Sequence, residues 1–231
     1  MTEITVFGAG GRVGRAVVRE ALARGHRVTA VVRDPSAHTS VVQDDAEVKA
    51  KPRPVDNSHE SADAPSVTYV RGDITDAEAV ARLTEGKDAV VNAAADLAAD
   101  PGEHFPAANR ALLASQAPRV IAVGLATYLE MAEGGLWMDL PEFQPEWRPF
   151  AEGHLAGVNV LRDGGNGLDW LVLSPSGDFD HEAEGTGEYR VAPGDPSSRI
   201  SLPDFALAVL DEIEKPSHSR AHVGVENQMR S

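Results

Sequence analysis

The sequence predicts an α/β protein with one doubly wound domain, in which a parallel sheet carries helices on both faces. The prediction rests first on five or six short apolar segments that alternate with helical segments. The prediction rests second on length: the chain has 231 residues, and a typical domain has roughly 150. We therefore expect a single domain over residues 1–231, with a small C-terminal region that covers the substrate.

The first three elements illustrate the alternation. Residues 4–7 form a short apolar run closed by glycines, which is typical of a strand buried on both faces. Residues 12–24 carry a mostly apolar stripe at helical spacing, and 27–32 are rich in β-branched residues, as in a strand. The remaining predicted elements are the strands 67–70, 88–94, 119–123, 168–173, 188–191 and 222–225, and the helices 76–83, 103–115, 146–163 and 203–214.

Three segments interrupt the alternation. Residues 35–65 contain many Asp, Ser, Ala and Pro residues without a sustained period, so we expect a mobile surface insertion, with a short helix near 41–48. This insertion would be either an active-site flap or a disordered stretch. Residues 124–150 and 174–200 follow predicted strands, and we expect them to cover the substrate.

Composition narrows the range of partners. The net charge of −15 disfavours nucleic acids and anionic membranes, and no apolar run approaches the roughly 18 residues of a membrane helix. The absence of cysteine excludes thiol catalysis and thiolate metal sites. We expect a cytoplasmic protein with a small-molecule substrate; the oligomeric state is not indicated. The acidic residues of 178–184 lack a recurring ligand spacing, so a solvated loop is expected there and no metal site.

A glycine-rich loop follows the first predicted strand and opens the first helix. In a Rossmann-type domain, Gly8 would make the tight turn, Gly11 would let the backbone approach a pyrophosphate, and Gly14 would let helix and strand pack closely. The helix N-terminus would present unpaired N–H groups to the phosphates. The loop residues expected to bind the cofactor are Gly8, Gly10, Gly11, Arg12, Val13 and Gly14.

The charges near this loop favour NADP over NAD. An NAD site usually has an acidic residue at the end of the second strand, but none occurs between Glu20 and Asp34. Arg33 closes the strand instead, and Arg12 lies in the loop, so two guanidiniums are available for a 2′-phosphate. Alternatively, each arginine is a solvated surface charge, or Asp34 pairs with Arg33.

Six segments carry a family resemblance. They are ITVFGAGGRVGRAVVREALARGHRVTAVVRDP at 4–35, VRGDITD at 70–76, DAVVNAAA at 88–95, GLDWLVLSPS at 167–176, TGEYRV at 186–191 and RISLPDFALAVLDEIEKP at 199–216. With these segments the sequence resembles the atypical short-chain dehydrogenase/reductase superfamily, in particular its NAD(P)H-binding NmrA-like and flavin-reductase-like branch. The resemblance implies that Asp73 and Ile74 contact adenine and that Ala93, Ala94 and Ala95 line the nicotinamide ribose. From the residues alone, Asp73 is equally a turn residue, and the alanines are equally close packing.

One motif of the superfamily is missing. Many relatives carry a catalytic Tyr-x-x-x-Lys, but this chain has Phe150 and His154 at those positions. The remaining candidates for catalysis are His154, Tyr128 and Thr127. An imidazole with an unperturbed pKa of about 6.5 suits proton exchange near neutrality, and the two hydroxyls suit a substrate carbonyl. The alternatives are a partly buried His154 that fills the space of the lysine, and packing roles for the other two.

The missing tyrosine and lysine favour an acceptor that needs no strong acid. Reduction of a flavin, quinone or conjugated enone spreads negative charge over a conjugated system, so proximity and orientation can suffice. We expect an NADPH-dependent reductase of such an acceptor. A non-catalytic NADP sensor and a non-redox cyclase or isomerase are the alternatives. The aromatic residues Phe143, Trp137 and Trp147 form either an apolar lid or local core.

Overall fold

The computed structural model of the protein describes residues 1–38, 64–165 and 167–228. The strands are β1 Glu3–Phe7, β2 Arg27–Val32, β3 Ser66–Arg71, β4 Ala89–Asn92, β5 Arg119–Val123, β6 Asp169–Pro175, β7 Asp178–Asp180, β8 Tyr189–Val191, β9 Arg199–Ser201 and β10 Ala221–Asn227. The helices are α1 Arg12–Ala23, α2 Ala77–Thr84, α3 Pro101–Leu112, α4 Arg148–Gly164 and α5 Leu202–Glu214. Every strand and helix predicted within the described residues is present, with shifts of a few residues at the ends.

The main sheet has eight strands in the order β3-β2-β1-β4-β5-β6-β10-β8. All neighbours are parallel except β8, which runs antiparallel to β10. The chain moves outwards from β1 to β3 and then returns to place β4 on the other side of β1. This topology confirms the doubly wound α/β fold, and its switch point lies between β1 and β4, where such folds bind ligands.

The helices cover both faces of the sheet. Ile4 and Val6 of β1 belong to one buried cluster, which includes apolar residues of α1 and α5. Phe7 belongs to a second cluster, which includes apolar residues of α2, α3 and α4. Because successive side chains of a strand point to opposite faces, the two clusters are the cores on the two sides of the sheet.

Two short strands were not predicted. β7 and β9 have three residues each and pair in parallel as a separate two-stranded sheet. Of the predicted insertion at 35–65, Pro35–His38 forms a single 3-10 turn. The helix expected near 41–48 lies outside the described residues. Within the described ranges, no helix has both the length and the apolar character that crossing a membrane requires.

Candidate functional site

A cleft of about 650 Å³ lies at the carboxyl ends of β1, β2, β3 and β4. It is therefore at the switch point of the sheet, as the fold predicts. The predicted cofactor residues that line it are Gly8, Gly10, Gly11, Arg33, Asp73, Ile74, Ala93, Ala94 and Ala95. Arg12, Val13 and Gly14 belong to the same loop and helix but are not part of the cleft wall.

The glycines of the loop are fixed by close backbone contacts. Gly8 has a φ of +74°, and a Cβ atom there would lie 2.5 Å from the carbonyl oxygen of Ala93. A Cβ at Gly14 would lie 2.2 Å from the carbonyl oxygen of Gly8. At Gly11 the nearest atom would be the Gly8 oxygen at 3.3 Å, so this glycine is the least crowded of the three and faces the cleft.

The N-terminus of α1 has no side-chain cap. Gly11 is its N-cap residue and supplies no side-chain oxygen. Asp76, Asp100 and Ser201 accept N–H bonds at the starts of α2, α3 and α5, while α4, like α1, has no side-chain cap. The first N–H groups of a helix need an acceptor, and a phosphate is well suited to that position. The uncapped helix beside an open cleft therefore fits the pyrophosphate of a dinucleotide.

Arg33 reaches the cleft and forms an ion pair there. Its Nη1 lies 2.5 Å from the Oδ2 of Asp96, and both residues line the cleft. The Ala98 N–H group and the charge of Arg33 together hold the pKa of Asp96 below its usual range. Arg12 is exposed and stands outside the wall, so only one of the two predicted guanidiniums lies in the cleft.

The residues expected near the adenine and the nicotinamide ribose also lie in the wall. One carboxylate oxygen of Asp73 accepts bonds from the N–H and the hydroxyl of Thr75, at 2.9 and 2.8 Å. Asp73 is therefore a turn residue and a wall residue at once. The side-chain oxygen of Asn92 accepts a bond from the Ala94 N–H at 3.0 Å, which fixes the turn that carries the three alanines.

His104 lines the same cleft and was not predicted. It lies in the first turn of α3, and its Nε2 is buried with no hydrogen-bond partner among the described residues. Its ring packs edge-on against Phe105, with 5.1 Å between the ring centres. A histidine in the first helical turn after β4 was the available signal in the sequence, but it does not show that the ring faces a cavity.

A second cavity of about 430 Å³ lies at the carboxyl ends of β5 and β6. Since β4 and β5 are neighbours in the sheet, the second cavity continues the line of the first along the same edge. Its wall is mainly apolar and aromatic. The aromatic residues are Trp137, Phe143, Trp147, Phe150 and Phe179.

Thr127 is the only one of the three predicted catalytic residues in the wall of either cavity. Its Oγ1 is buried and makes no hydrogen bond within the part of the chain that the structure describes. A buried hydroxyl normally has a partner, so an unpartnered hydroxyl on a residue that lines a cavity is a candidate contact for a ligand.

Tyr128 is buried, and its phenol oxygen accepts a bond from the Leu125 N–H at 3.1 Å. Burial raises the pKa of Tyr128. The ring packs against His222, with centres 4.9 Å apart, and His222 bonds the hydroxyl of Ser174 at 2.7 Å. Tyr128 therefore packs in the core, and its bond to the Leu125 N–H stabilises the turn that follows β5.

His154 packs among aromatic rings and lines neither of the two cavities. Its ring centre lies 3.5 Å from that of Phe105 and 4.9 Å from that of Phe150. Burial, with a smaller contribution from His104, lowers the pKa of His154 to about 3. The imidazole is therefore neutral near pH 7, which differs from the near-neutral titration expected from the sequence, because desolvation disfavours the charged form.

The acidic residues of segment 178–184 lie in two different environments. Asp178 begins β7 and lines the second cavity, while Asp180 accepts the N–H groups of Glu182 and Ala183 at the start of an exposed turn. In residues 1–38, 64–165 and 167–228, no group of three or more His, Asp or Glu side chains is arranged to hold a metal ion.

A model of NAD(P)H-binding proteins matches residues 8–51 and 39–216 of the chain. The chain belongs to the NAD(P)H-binding family. This membership supports a nicotinamide dinucleotide as the ligand of the first cleft, and it confirms the resemblance found in the sequence.

The chain has relatives that match nearly all of its length. The uncharacterized protein YwnB of Bacillus subtilis (strain 168) is 33% identical in an alignment of 232 positions that covers 94% of each chain. SP1627 of Streptococcus pneumoniae TIGR4, a candidate NADH-flavin reductase, has 28% identity and a TM-score of 0.74 over 99% of this chain and 100% of its own. A candidate epimerase of Bacteroides thetaiotaomicron has 25% identity and a TM-score of 0.77 over 100% and 99%.

Proposed function

We propose that this protein is an NADPH-dependent reductase that passes a hydride to a small, planar, conjugated acceptor such as a flavin, a quinone or an enone. The observation that carries the proposal is the position of the two cavities. The glycine-loop cleft and the aromatic cavity lie side by side at the carboxyl edge of one sheet. A dinucleotide in the first would present its nicotinamide end towards a molecule in the second.

The first cleft is suited to NADPH. The uncapped N-terminus of α1 would hold the pyrophosphate, and Asp73 and Ile74 would border the adenine. Arg33 would bind the 2′-phosphate after exchanging its partner Asp96 for it. Arg12 would add a second, more distant positive charge.

The second cavity is suited to a flat apolar molecule. Aromatic side chains provide most of its wall, and aromatic rings stack favourably on conjugated systems. Bound NADPH would supply the hydride, and water would supply one proton, so that the acceptor gains two electrons and two hydrogen atoms in total. Among the described residues, no tyrosine, lysine or histidine lines this cavity, which fits an acceptor that needs no strong acid.

The three predicted catalytic residues have different roles in this proposal. Thr127 would border the acceptor, because the residue lines the wall and its buried hydroxyl has no hydrogen-bond partner among the described residues. Tyr128 would position the Leu125–Thr127 turn through its bond to the Leu125 N–H. His154 would support Phe150, against which it packs, and would do so as a neutral ring.

Two measurements test the proposal. The first is titration with NADPH and NADH, followed by tryptophan fluorescence, in which we expect tighter binding of NADPH. The second is oxidation of NADPH in the presence of riboflavin, menadione or a cyclic enone, in which we expect turnover with at least one of them. Binding of NADPH without turnover of any acceptor class would support a non-catalytic sensor instead. If neither dinucleotide binds, the proposal fails.

A further inference from the structure

The second cavity, proposed above to hold the acceptor and called the acceptor cavity below, has negative charges in its wall and no positive ones among the described residues. Glu142 and Asp178 both line it and are both exposed. The other polar residues among its lining, apart from the tryptophans, are the neutral Thr127 and Gln144. Among residues 1–38, 64–165 and 167–228, no lysine or arginine contributes to this wall.

Neither of two nearby arginines is part of this wall. Arg199 lies opposite Asp178 in the β7–β9 register and donates to the carbonyl oxygens of Pro196 and Ser198. The guanidinium of Arg148 lies 5.7 Å from the centre of the Phe143 ring, and it donates to the carbonyl oxygen of Met138 at 2.5 Å. It also lies 3.8 Å from the carboxylate of Glu152. Arg148 is therefore already held by an acceptor and a carboxylate, and it is not part of the cavity wall.

The Asp178 carboxylate is held in position at the rim. Its Oδ1 accepts a bond from the N–H of Phe179 at 2.8 Å, and the Phe179 ring packs edge-on against Phe205, with centres 5.0 Å apart. Phe205 is fully buried in the core. The negative charge thus stands at a defined place beside an aromatic wall residue.

The two cavities therefore differ in whether their side chains favour a negatively charged group on a ligand. The wall of the cofactor cleft, the first cleft described above, includes the carboxylates of Asp34, Asp73 and Asp96, but it also has the guanidinium of Arg33, which can bind a phosphate directly. Both cavities border a helix start without a side-chain cap, α1 at the cleft and α4 at the acceptor cavity, so the helix ends do not distinguish them. The acceptor cavity contains two carboxylates, which repel phosphate. We propose that the acceptor site selects conjugated molecules that carry no phosphate or carboxylate, and that Glu142 and Asp178 determine this specificity; the inference rests on the reductase function proposed above.

Riboflavin and FMN form a matched pair of probes, because they share one ring system and differ by one phosphate. A phosphate monoester carries about two negative charges at neutral pH. At roughly 10 Å through water, its repulsion by two carboxylates corresponds to about a tenfold loss of affinity at low salt. The effect should decline as ionic strength rises, because screening shortens the range of the interaction.

The experiment compares binding and turnover of the two flavins. Binding to the protein saturated with NADP is followed by flavin fluorescence, and kcat/KM is measured at saturating NADPH. We expect riboflavin to be favoured about tenfold at roughly 10 mM salt and the preference to approach one at roughly 0.5 M salt. In the double variant Glu142→Gln, Asp178→Asn the low-salt preference should fall to about twofold. Glu133→Gln is the matched control, since Glu133 is exposed and outside the wall.

The outcomes separate this inference from the function on which it rests. If FMN binds as well as riboflavin at low salt, or if neither flavin binds, the charge selection is wrong. A preference that persists in the double variant overturns the assignment to Glu142 and Asp178. If riboflavin is bound preferentially but no acceptor is reduced, the selection holds as a binding property, and it is the reductase function that fails.

Discussion

The guanidinium of Arg33 lies 2.5 Å from the carboxylate of Asp96, and the pair joins the segments that follow β2 and β4. Because β1 lies between these two strands in the sheet, the pair connects the two sides of the glycine-loop cleft. A 2′-phosphate that binds Arg33 must compete with Asp96 for it. The negative charge of Asp96 would therefore weaken the binding of NADPH, although Arg33 favours it.

Substitution Asp96→Ala tests this competition. We expect NADPH to bind up to about fivefold more tightly, because an exposed ion pair contributes little and its removal frees the guanidinium. Binding of NADH, which lacks the 2′-phosphate, should change by less than about twofold. Arg33→Ala should have the opposite effect, with about a tenfold loss for NADPH alone. The dissociation constants are measured by fluorescence titration.

Arg110→Ala is the control for that pair, since Arg110 is an exposed residue in the last turn of α3 and does not line the cleft. It should leave both dissociation constants unchanged. Equal losses for NADPH and NADH in Arg33→Ala would show that Arg33 does not bind the 2′-phosphate.

The glycines of the loop should separate folding from binding. A Cβ at Gly14 would lie 2.2 Å from a backbone oxygen, so Gly14→Ala should lower the free energy of unfolding by about 1–3 kcal/mol. Gly11→Ala should lower it less, because the nearest atom is 3.3 Å away, yet it should weaken NADPH binding by placing a methyl group in the cleft. Urea unfolding and NADPH titration measure the two effects.

Gly167→Ala is the matched control for these substitutions, because a Cβ there would meet no atom within 4 Å. If Gly14→Ala and Gly167→Ala unfold at the same urea concentration, the close approach of α1 to the loop does not limit the size of the side chain at position 14.

His104→Phe tests whether the imidazole of this cleft-lining residue binds the cofactor. The Nε2 atom has no hydrogen bond to lose within the described chain, and phenylalanine keeps the ring contact with Phe105. The free energy of unfolding should therefore stay the same or rise by up to about 1 kcal/mol, while NADPH binding weakens about fivefold. A dissociation constant equal to that of the wild type would remove His104 from the cofactor site.

Much of the fold was predictable because its signals are local. The alternation of strand-like and helical segments located the five helices of the described residues, and the glycine spacing located the loop between β1 and α1 that lines the first cleft. By contrast, β7 and β9 each have three residues and are far apart in sequence, so no local period marks them. Residues 39–63, where the sequence predicts most of a mobile insertion, lie outside the described part of the chain.

The site was predictable only in part, because several of its properties depend on tertiary packing. The lowered pKa of His154 arises from rings of α3 and α4 that close around it. The unpartnered nitrogen of His104 depends on which groups surround it in the folded chain. Neither property can be read from residue type or spacing.

His154 and His222, whose rings are largely desolvated although both residues are only partly buried, should make the protein less stable in mild acid. Burial lowers the pKa of His154 to about 3, and burial together with the charge of Arg162 lowers that of His222 to about 4. In the unfolded chain both titrate near 6.5. As pH falls below about 6.5, the unfolded state gains protons that the folded state does not, so stability is lost; between pH 7 and pH 5 each histidine contributes a loss of about 2 kcal/mol.

The measurement is urea unfolding at pH 7 and pH 5 for the wild type, His154→Gln and His222→Gln. Each variant should lose less stability over this interval than the wild type does, even if it is less stable at pH 7. His181→Gln serves as the control, because His181 is exposed and should leave the pH dependence as it is. If both variants lose as much stability between pH 7 and pH 5 as the wild type does, these imidazoles are not desolvated in the folded protein.

Thr127→Val tests the hydroxyl in the acceptor cavity. Valine keeps the shape of threonine and removes a buried oxygen that has no partner among the described residues, so the free energy of unfolding should stay the same or rise. If the hydroxyl binds the acceptor, kcat/KM for the acceptor falls about tenfold while NADPH binding is unchanged.

Thr84→Val is the contrasting control: that hydroxyl donates to the Val80 carbonyl oxygen at 2.8 Å and accepts from the Gln116 N–H at 3.0 Å. The control should lose about 1–3 kcal/mol of stability without a change in acceptor specificity. If Thr127→Val also loses stability but keeps full turnover, the hydroxyl has a structural role, and the acceptor is held by the aromatic wall alone.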